Sequence, residues 1–146
     1  MDIDLKKILS DMDAAILYQP IGDEIDITII PFLKIQDSVT VPADKNADPF
    51  YWAEKCIEKY NGKKVCIVIP GRKFDMHGTR HGKGGGWYDR FLSKIPREWL
   101  RIGIATKEHF SSTPLARNEW DEPMDYVVVQ NSDSWEIYKT DVRGQE

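Results

Sequence analysis

A run of three glycines between basic residues and an aspartate is the part of the sequence best suited to chemistry. It reads HGTRHGKGGGWYDRFL over residues 77–92, with Arg80, His81 and Lys83 before or within the glycines and Asp89 just after them. Successive glycines allow backbone N–H groups to turn inward as an anion-binding nest, and the positive end of a following helix adds to that attraction. With full positive charges nearby, the stretch predicts a phosphate-binding loop.

Two common phosphate-binding motifs do not describe this loop. It is not a Walker A motif, because GTRHGKGG has one residue too few between its glycines and Lys83 is followed by glycine rather than Ser or Thr. It is not G-x-G-x-x-G either, because Trp87 stands where the third glycine would be. A flexible surface turn with incidental basic residues is the alternative that the loop alone leaves open.

Asp89 bears on what accompanies the phosphate. A carboxylate in the first turn after a phosphate nest would repel the phosphate unless a cation lay between them. Mg²⁺ held by one or two carboxylates and by phosphate oxygens removes that repulsion. The alternative is that Asp89 only stabilises the N-terminus of the following helix, by about 0.3–1 kcal/mol. Spacing alone does not decide between the two.

The elements around the loop alternate between helices and strands. Apolar periodicity and turn residues predict helices over residues 4–14, 49–61 and 87–95, and strands over residues 14–22, 38–42, 64–71, 101–107 and 125–131. Acidic residues at the start of residues 23–36 favour another helix N-terminus, which Pro31 limits. The alternation predicts one domain, residues 1–146, with an α/β, three-layer, Rossmann-like fold and a mostly parallel sheet flanked by helices. Ligands of such folds collect at the carboxyl ends of the strands, where the loop begins.

Composition and charge limit the class of protein. The 146 residues suffice for one core, and the formal net charge of -4 argues against a nucleic-acid-binding module. No apolar run approaches the roughly 20 residues that span a bilayer, and the N-terminus MDIDLKKILSDMD is too acidic for a signal peptide. Cys56 and Cys66 form no CxxC pair, which predicts two buried thiols in a cytoplasmic protein.

Several segments together resemble one family. The stretch IPGRKFDMHGTRHGKGGGWYDRFL, followed by RIGIATKE and NEWDEPMDYVV, is similar to the C-terminal half of 5-formyltetrahydrofolate cyclo-ligases, also called 5,10-methenyltetrahydrofolate synthetases. YQPIGDEIDI resembles the family's earlier segment, in which an acidic pair follows a strand and a turn. The resemblance implies use of ATP and Mg²⁺ to phosphorylate the formyl oxygen of 5-formyltetrahydrofolate, after which the N10 amine closes the ring and expels phosphate.

The resemblance also implies roles for particular residues. The ATP loop would comprise Arg80, Gly82, Lys83, Gly84, Gly85, Gly86, Trp87 and Tyr88. Lys83 and Arg80 would be the catalytic residues, and Asp89 and Asp121 would bind Mg²⁺. Glu24 would hold the pterin ring of the folate, which Tyr88 would also contact. The alternative for Glu24 is that it favours the N-terminus of the next helix together with its acidic neighbours.

The chain departs from the family pattern in places. Trp87 stands where the family usually has tyrosine, and His81 replaces an apolar residue. A family helix whose lysine and arginine contact ATP would precede this chain's first residue, and the middle segment is shorter than in the family. The expected partners are a reduced folate and ATP, with no nucleic acid or membrane, and the expected state is a monomer. A non-catalytic nucleotide- or folate-binding protein of the same fold is the alternative function.

Overall fold

The chain alternates between helices and strands, as seen in a computed structural model that describes residues 3–22, 24–26, 30, 33, 35–42, 44, 46–82 and 86–140. In chain order the elements are α1 (Ile3–Ser10), β1 (Ala14–Tyr18), β2 (Ser38–Val41), α2 (Pro49–Tyr60), β3 (Val65–Pro70), β4 (Lys73–Phe74), β5 (Arg80–His81), α3 (Trp87–Lys94), β6 (Leu100–Thr106), a 3-10 turn (Lys107–His109), β7 (Tyr126–Asn131) and β8 (Ser134–Lys139). In this part of the chain, no helix is long and apolar enough to cross a membrane.

Six of the strands form one sheet in the order β2-β1-β3-β6-β7-β8. The first five are parallel to one another, and β8 pairs antiparallel with β7 at the edge. The carboxyl ends of β1, β3 and β6 therefore lie along the same edge of the sheet. Helices flank this sheet, so the predicted α/β fold with a mostly parallel sheet is confirmed.

The core follows from the periodicity of the elements. All six residues of β3 are buried, as expected of an interior strand of a parallel sheet. Helix α2 begins where the Asp48 side chain accepts a 2.9 Å hydrogen bond from the Phe50 N–H, and Pro49 occupies its first position. Helices α2 and α3 pack against each other.

Both cysteines are buried and unpaired with each other, as predicted. Burial raises the pKa of the Cys56 thiol to about 11 and the pKa of the Cys66 thiol to about 12. The two side chains are therefore neutral at physiological pH and serve as small apolar groups of the core.

Besides the two-residue strands β4 and β5, which were not predicted, three local features differ from the sequence-based prediction. Helix α1 ends at Ser10 rather than near residue 14. Strand β8 was not predicted, and it is joined to β7 by a tight turn in which Ser132 has a φ of 56°. In the segment 23–36, the described residues 24–26, 30, 33, 35 and 36 lie in neither a helix nor a strand, and the others lie outside the described residues.

The ring of Phe74 lies between two glycines and fixes the β4–β5 hairpin against the sheet. An added Cβ would stand 2.7 Å from Phe74 Cδ1 at Gly103, in β6, and 2.9 Å from Phe74 Cζ at Gly71. Phe74 is completely buried, so its ring has little space into which to move. Because β5 begins with Arg80, this packing determines where that arginine enters the cleft described below.

We expect Gly103→Ala to destabilise the protein by about 1–3 kcal/mol, because it overpacks the contact with Phe74. Urea denaturation measures the free energy of unfolding. In a double-mutant cycle, Phe74→Leu should recover part of the loss, since the smaller side chain makes room for the added methyl group. An unchanged unfolding midpoint for Gly103→Ala would show that the ring is not held between the glycines.

Candidate active site

A cleft follows the carboxyl edge of the sheet and divides into three lobes that share Glu24 and Pro70. The central lobe, of about 540 Å³, is lined by Gly82 and Gly86 and by residues of the segment 116–121. The β3–β6 lobe, of about 430 Å³, lies beyond the ends of those two strands. The β1–β2 lobe, of about 330 Å³, lies beyond the ends of strands β1 and β2. The volumes are within the range of small-molecule sites.

Arg80 is the buried cation of the central lobe. Its Nε donates a 2.7 Å hydrogen bond to the Pro70 carbonyl oxygen, and its guanidinium lies 4.9 Å from the centre of the Tyr88 ring. Burial lowers the pKa of Arg80, whereas the neighbouring Asp89 opposes that shift by favouring the charged form. An arginine with an intrinsic pKa above 12 stays protonated under these conditions. The bond and the stacking orient its planar group toward the lobe.

Glycines make room for this arginine and for the start of the next helix. A Cβ at Gly82 would stand 3.2 Å from both Nη atoms of Arg80. Gly86 has a φ of 63°, in the left-handed region, immediately before α3 begins. Lys83, Gly84 and Gly85, the other predicted members of the ATP loop, lie outside the described residues.

Trp87 and Tyr88 anchor the first turn of α3. Trp87 Nε1 donates a 2.9 Å hydrogen bond to the Ala47 carbonyl oxygen, and its ring stacks on Phe91 with a centroid distance of 5.3 Å. Tyr88 lines the central and β1–β2 lobes. Burial raises the pKa of its hydroxyl well above the usual range, so the group is neutral and available as a hydrogen-bond donor.

Asp89 and Asp121 both line the central lobe. One oxygen of Asp89 accepts a 3.1 Å hydrogen bond from the Glu122 N–H, and one oxygen of Asp121 accepts a 2.8 Å bond from the Asn118 N–H. Burial raises the pKa of Asp89, and the charge of Asp121 adds to the rise, whereas the Glu122 N–H and Arg80 oppose it.

The arrangement suits one kind of metal site. Among the described residues, no three His, Cys, Asp or Glu side chains form a group that could hold a metal by themselves. Two carboxylates facing one space match the way in which Mg²⁺ binds when phosphate oxygens and water complete its coordination.

A buried ionic network, not predicted from the sequence, holds the segment that carries Asp121. Arg101 is 1% exposed and pairs with Glu122 at 2.7 Å, while its backbone N–H donates a 2.9 Å bond to Asp125. Asp125 also pairs with Arg97 at 3.1 Å. The sequence feature that could have indicated this network is Arg101, the one charged residue of the strand segment RIGIAT.

A second buried carboxylate, Asp75, closes the hairpin that carries Arg80. It is 1% exposed and accepts 2.9 Å bonds from the N–H groups of His77 and Thr79 and a 2.8 Å bond from the Leu115 N–H. Nε and Nη2 of Arg117 also donate hydrogen bonds to the hydroxyl oxygen of Thr79. These bonds join the hairpin to the segment 115–121, and both contribute residues to the lining of the central lobe.

Glu24 lies where the three lobes meet. Its Oε1 accepts a 2.9 Å hydrogen bond from the Ile21 N–H, which fixes the turn after β1. The buried Tyr18 donates a 2.5 Å hydrogen bond from its hydroxyl to the carbonyl oxygen of Ile25, the residue after Glu24. Glu24 is partly buried at the edge of the sheet where ligands of parallel α/β folds bind.

The fold and this cleft define an α/β protein with a cleft, lined by the buried Arg80, at the carboxyl edge of its sheet. Residues 23–130 match the model of the 5-formyltetrahydrofolate cyclo-ligase family. The chain belongs to the 5-formyltetrahydrofolate cyclo-ligase family and is therefore an enzyme of the ligase type.

Relatives from two mycoplasmas support this assignment. The 5-formyltetrahydrofolate cyclo-ligase of Mycoplasma genitalium is 30% identical over 119 residues, which cover 77% of this chain and 69% of the relative. That of Mycoplasma pneumoniae is 28% identical over 116 residues, which cover 77% of this chain and 70% of the relative.

Solved structures share the fold. The 5,10-methenyltetrahydrofolate synthetase of Mycoplasma pneumoniae superposes with a TM-score of 0.58 at 21% identity, over 86% of this chain and 79% of the other. That of Aquifex aeolicus gives a TM-score of 0.58 at 23% identity, over 94% of this chain and 74% of the other.

Proposed function

We propose that the chain converts 5-formyltetrahydrofolate to 5,10-methenyltetrahydrofolate with consumption of ATP in the presence of Mg²⁺. The observation that most supports this is the central lobe, where the oriented cation Arg80 shares one space with Asp89 and Asp121. A phosphoryl group transferred there would meet a cation and two potential metal ligands, while Glu24 stands at the adjoining junction.

The proposed reaction has two stages. The formyl oxygen attacks the γ-phosphorus of ATP, so that ADP leaves and the formyl carbon becomes activated. The N10 amine then attacks that carbon, loses its proton and closes the five-membered ring, while the C–O bond breaks and phosphate departs. Phosphoryl transfer needs positioning and charge stabilisation more than covalent help from the protein. In this proposal Arg80, together with Lys83 of the glycine loop, positions the phosphoryl group and stabilises its charge.

The acidic side of the central lobe has a different role. Asp89 and Asp121 would hold Mg²⁺, which when bound neutralises charge on the phosphate oxygens. The Glu122 N–H occupies one oxygen of Asp89 and fixes its orientation. The Arg101–Glu122 ion pair keeps that N–H in place.

Glu24 would orient the pterin ring. A carboxylate accepts two hydrogen bonds side by side, and a pterin offers a matching pair of donors in a ring N–H and the neighbouring amino group. The Ile21 N–H already holds one oxygen of Glu24, which limits the rotation of the carboxylate. The reactive formyl group would then face the central lobe, which Glu24 also lines.

We expect MgATP to stabilise the protein, and we expect magnesium to be needed for most of the effect. Ligand binding to the native state alone adds about 2.7 kcal/mol at a hundredfold excess over the dissociation constant. Thermal melts with ATP, with and without Mg²⁺, and with Mg²⁺ alone measure it. No shift at millimolar MgATP would contradict a nucleotide site in the central lobe.

Turnover is tested by mixing the protein, 5-formyltetrahydrofolate and MgATP and following the absorbance band of the methenyl product. Growth of the band that depends on all three components supports the proposed reaction. Binding of MgATP and folate without growth of the band would instead indicate a non-catalytic binding protein.

A further inference from the structure

We propose that the β3–β6 lobe binds the aminobenzoyl-glutamate tail of the folate, with Arg72 and His109 as the residues that recognise its carboxylates. The inference rests on the proposed function, because it takes a pterin ring at Glu24 as its starting point. Glu24 lines this lobe as well as the central one, so a ligand can extend from the junction into it.

The lining of the lobe combines the two kinds of surface that such a tail requires. The tail consists of an aromatic ring, an amide and a glutamate that carries two carboxylates. Ile25, Ile104 and Ala105 provide an apolar wall suited to the ring, and the guanidinium of Arg72 provides donors suited to the carboxylates. His109 Nδ1 donates to the Arg72 carbonyl oxygen, so its Nε2 serves as a second donor in the imidazolium form. Glu24, at the junction, is the acidic side chain among the described residues of the lining.

Arg72 is held at its backbone while its side chain remains available. Its N–H donates a 2.6 Å hydrogen bond to the His81 carbonyl oxygen, and its own carbonyl oxygen lies 2.9 Å from Nδ1 of His109. The side chain is exposed and forms no ion pair with any other described residue. A guanidinium with a fixed base can bind a carboxylate through two parallel hydrogen bonds.

The other two lobes suit an anionic tail less well. The β1–β2 lobe is lined by Glu24 and Asp44, and its described residues include no Lys, Arg or His. A carboxylate placed there would meet like charges. The central lobe contains Asp89 and Asp121 and is assigned to the phosphates of ATP in the proposed function.

An ATP phosphate is the other anion that Arg72 could meet, since Arg72 also lines the central lobe. His109, by contrast, lines the β3–β6 lobe and neither of the other two. The position of this second donor favours the tail, and the experiment separates the two anions.

The test is calorimetric titration with 5-formyltetrahydrofolate and with its analogue in which both glutamate carboxylates are carboxamides. The wild-type protein should bind the carboxylate form roughly tenfold to a hundredfold more tightly. Arg72→Gln should bring the two affinities within a few-fold of each other, and His109→Gln should reduce the preference in part. Lys63→Gln removes one exposed positive charge at the opposite edge of the sheet and should keep the full preference.

The outcomes separate this inference from the proposed function. Equal affinity of the wild-type protein for both folates would overturn the inference and leave the proposed function intact. It would also be overturned if Arg72→Gln weakened MgATP binding and left the preference between the folates unchanged. If neither folate bound while thermal melts showed a folded protein, the proposed function would fail and the inference with it.

Discussion

Arg80→Ala will lower the rate of cyclisation by about a thousandfold or more, within the range that a single arginine contributes to phosphoryl transfer. The guanidinium is buried, stacked at 4.9 Å on Tyr88 and oriented by its 2.7 Å bond to Pro70. It is therefore preorganised and needs no rearrangement as charge develops on the transferred group. Single-turnover kinetics with saturating MgATP measures the loss in the chemical step rather than in binding.

The conservative variant sharpens this prediction. Arg80→Lys keeps a positive charge but loses the planar fork and the Nε–H that bonds Pro70, so it should recover only a small part of the rate. Lys94→Ala is a matched control, because it removes an exposed cation that lies over the Phe50 ring, away from the cleft. Thermal melts exclude loss of folding as the cause. Full activity of Arg80→Ala would show that the phosphoryl group is stabilised elsewhere.

Sequence periodicity located the elements on both sides of the glycine loop because their patterns are local. The run VCIVIP reads as a buried strand from its six consecutive residues, and Asp48 and Pro49 mark the start of α2. The family assignment was likewise correct, because it rested on the order of several motifs rather than on the loop alone. The catalytic, metal-binding and pterin-binding roles remain predictions.

The contacts that hold the cleft could not be predicted in this way, because they join distant segments. Arg101 pairs with Glu122, 21 residues later, and Asp75 accepts from the N–H of Leu115, 40 residues later. A hydrophobic pattern gives no information on such pairs.

The missed strands were short or weakly marked. Strands β4 and β5 have two residues each, too few for an alternating pattern to be recognised. The turn before β8 contains Ser132 with a positive φ, without the Asn-Gly or Asp-Gly pair that marks most hairpin turns.

Glu24→Gln will weaken the binding of 5-formyltetrahydrofolate by about tenfold to a hundredfold, the effect of losing one charge-assisted hydrogen bond. The amide would present its own N–H₂ group to one of the two pterin donors, so that this donor would be left unpaired. Affinity for MgATP should change little, because the proposed phosphate contacts come from the glycine loop and α3. Titration of the variant beside the wild-type protein gives the dissociation constants for 5-formyltetrahydrofolate and for MgATP.

Two comparisons decide whether the pterin or the protein backbone is the main partner of Glu24. If Glu24 only stabilises the local chain through its hydrogen bond with the Ile21 N–H, the substitution should lower stability by roughly 0.5–1.5 kcal/mol and leave folate affinity unchanged. Asp44→Asn is the control, since it removes an exposed carboxylate from the β1–β2 lobe. A folate affinity that falls equally in both variants would point to a general effect of charge in the cleft. A fall confined to Glu24→Gln would assign the pterin to the junction of the three lobes.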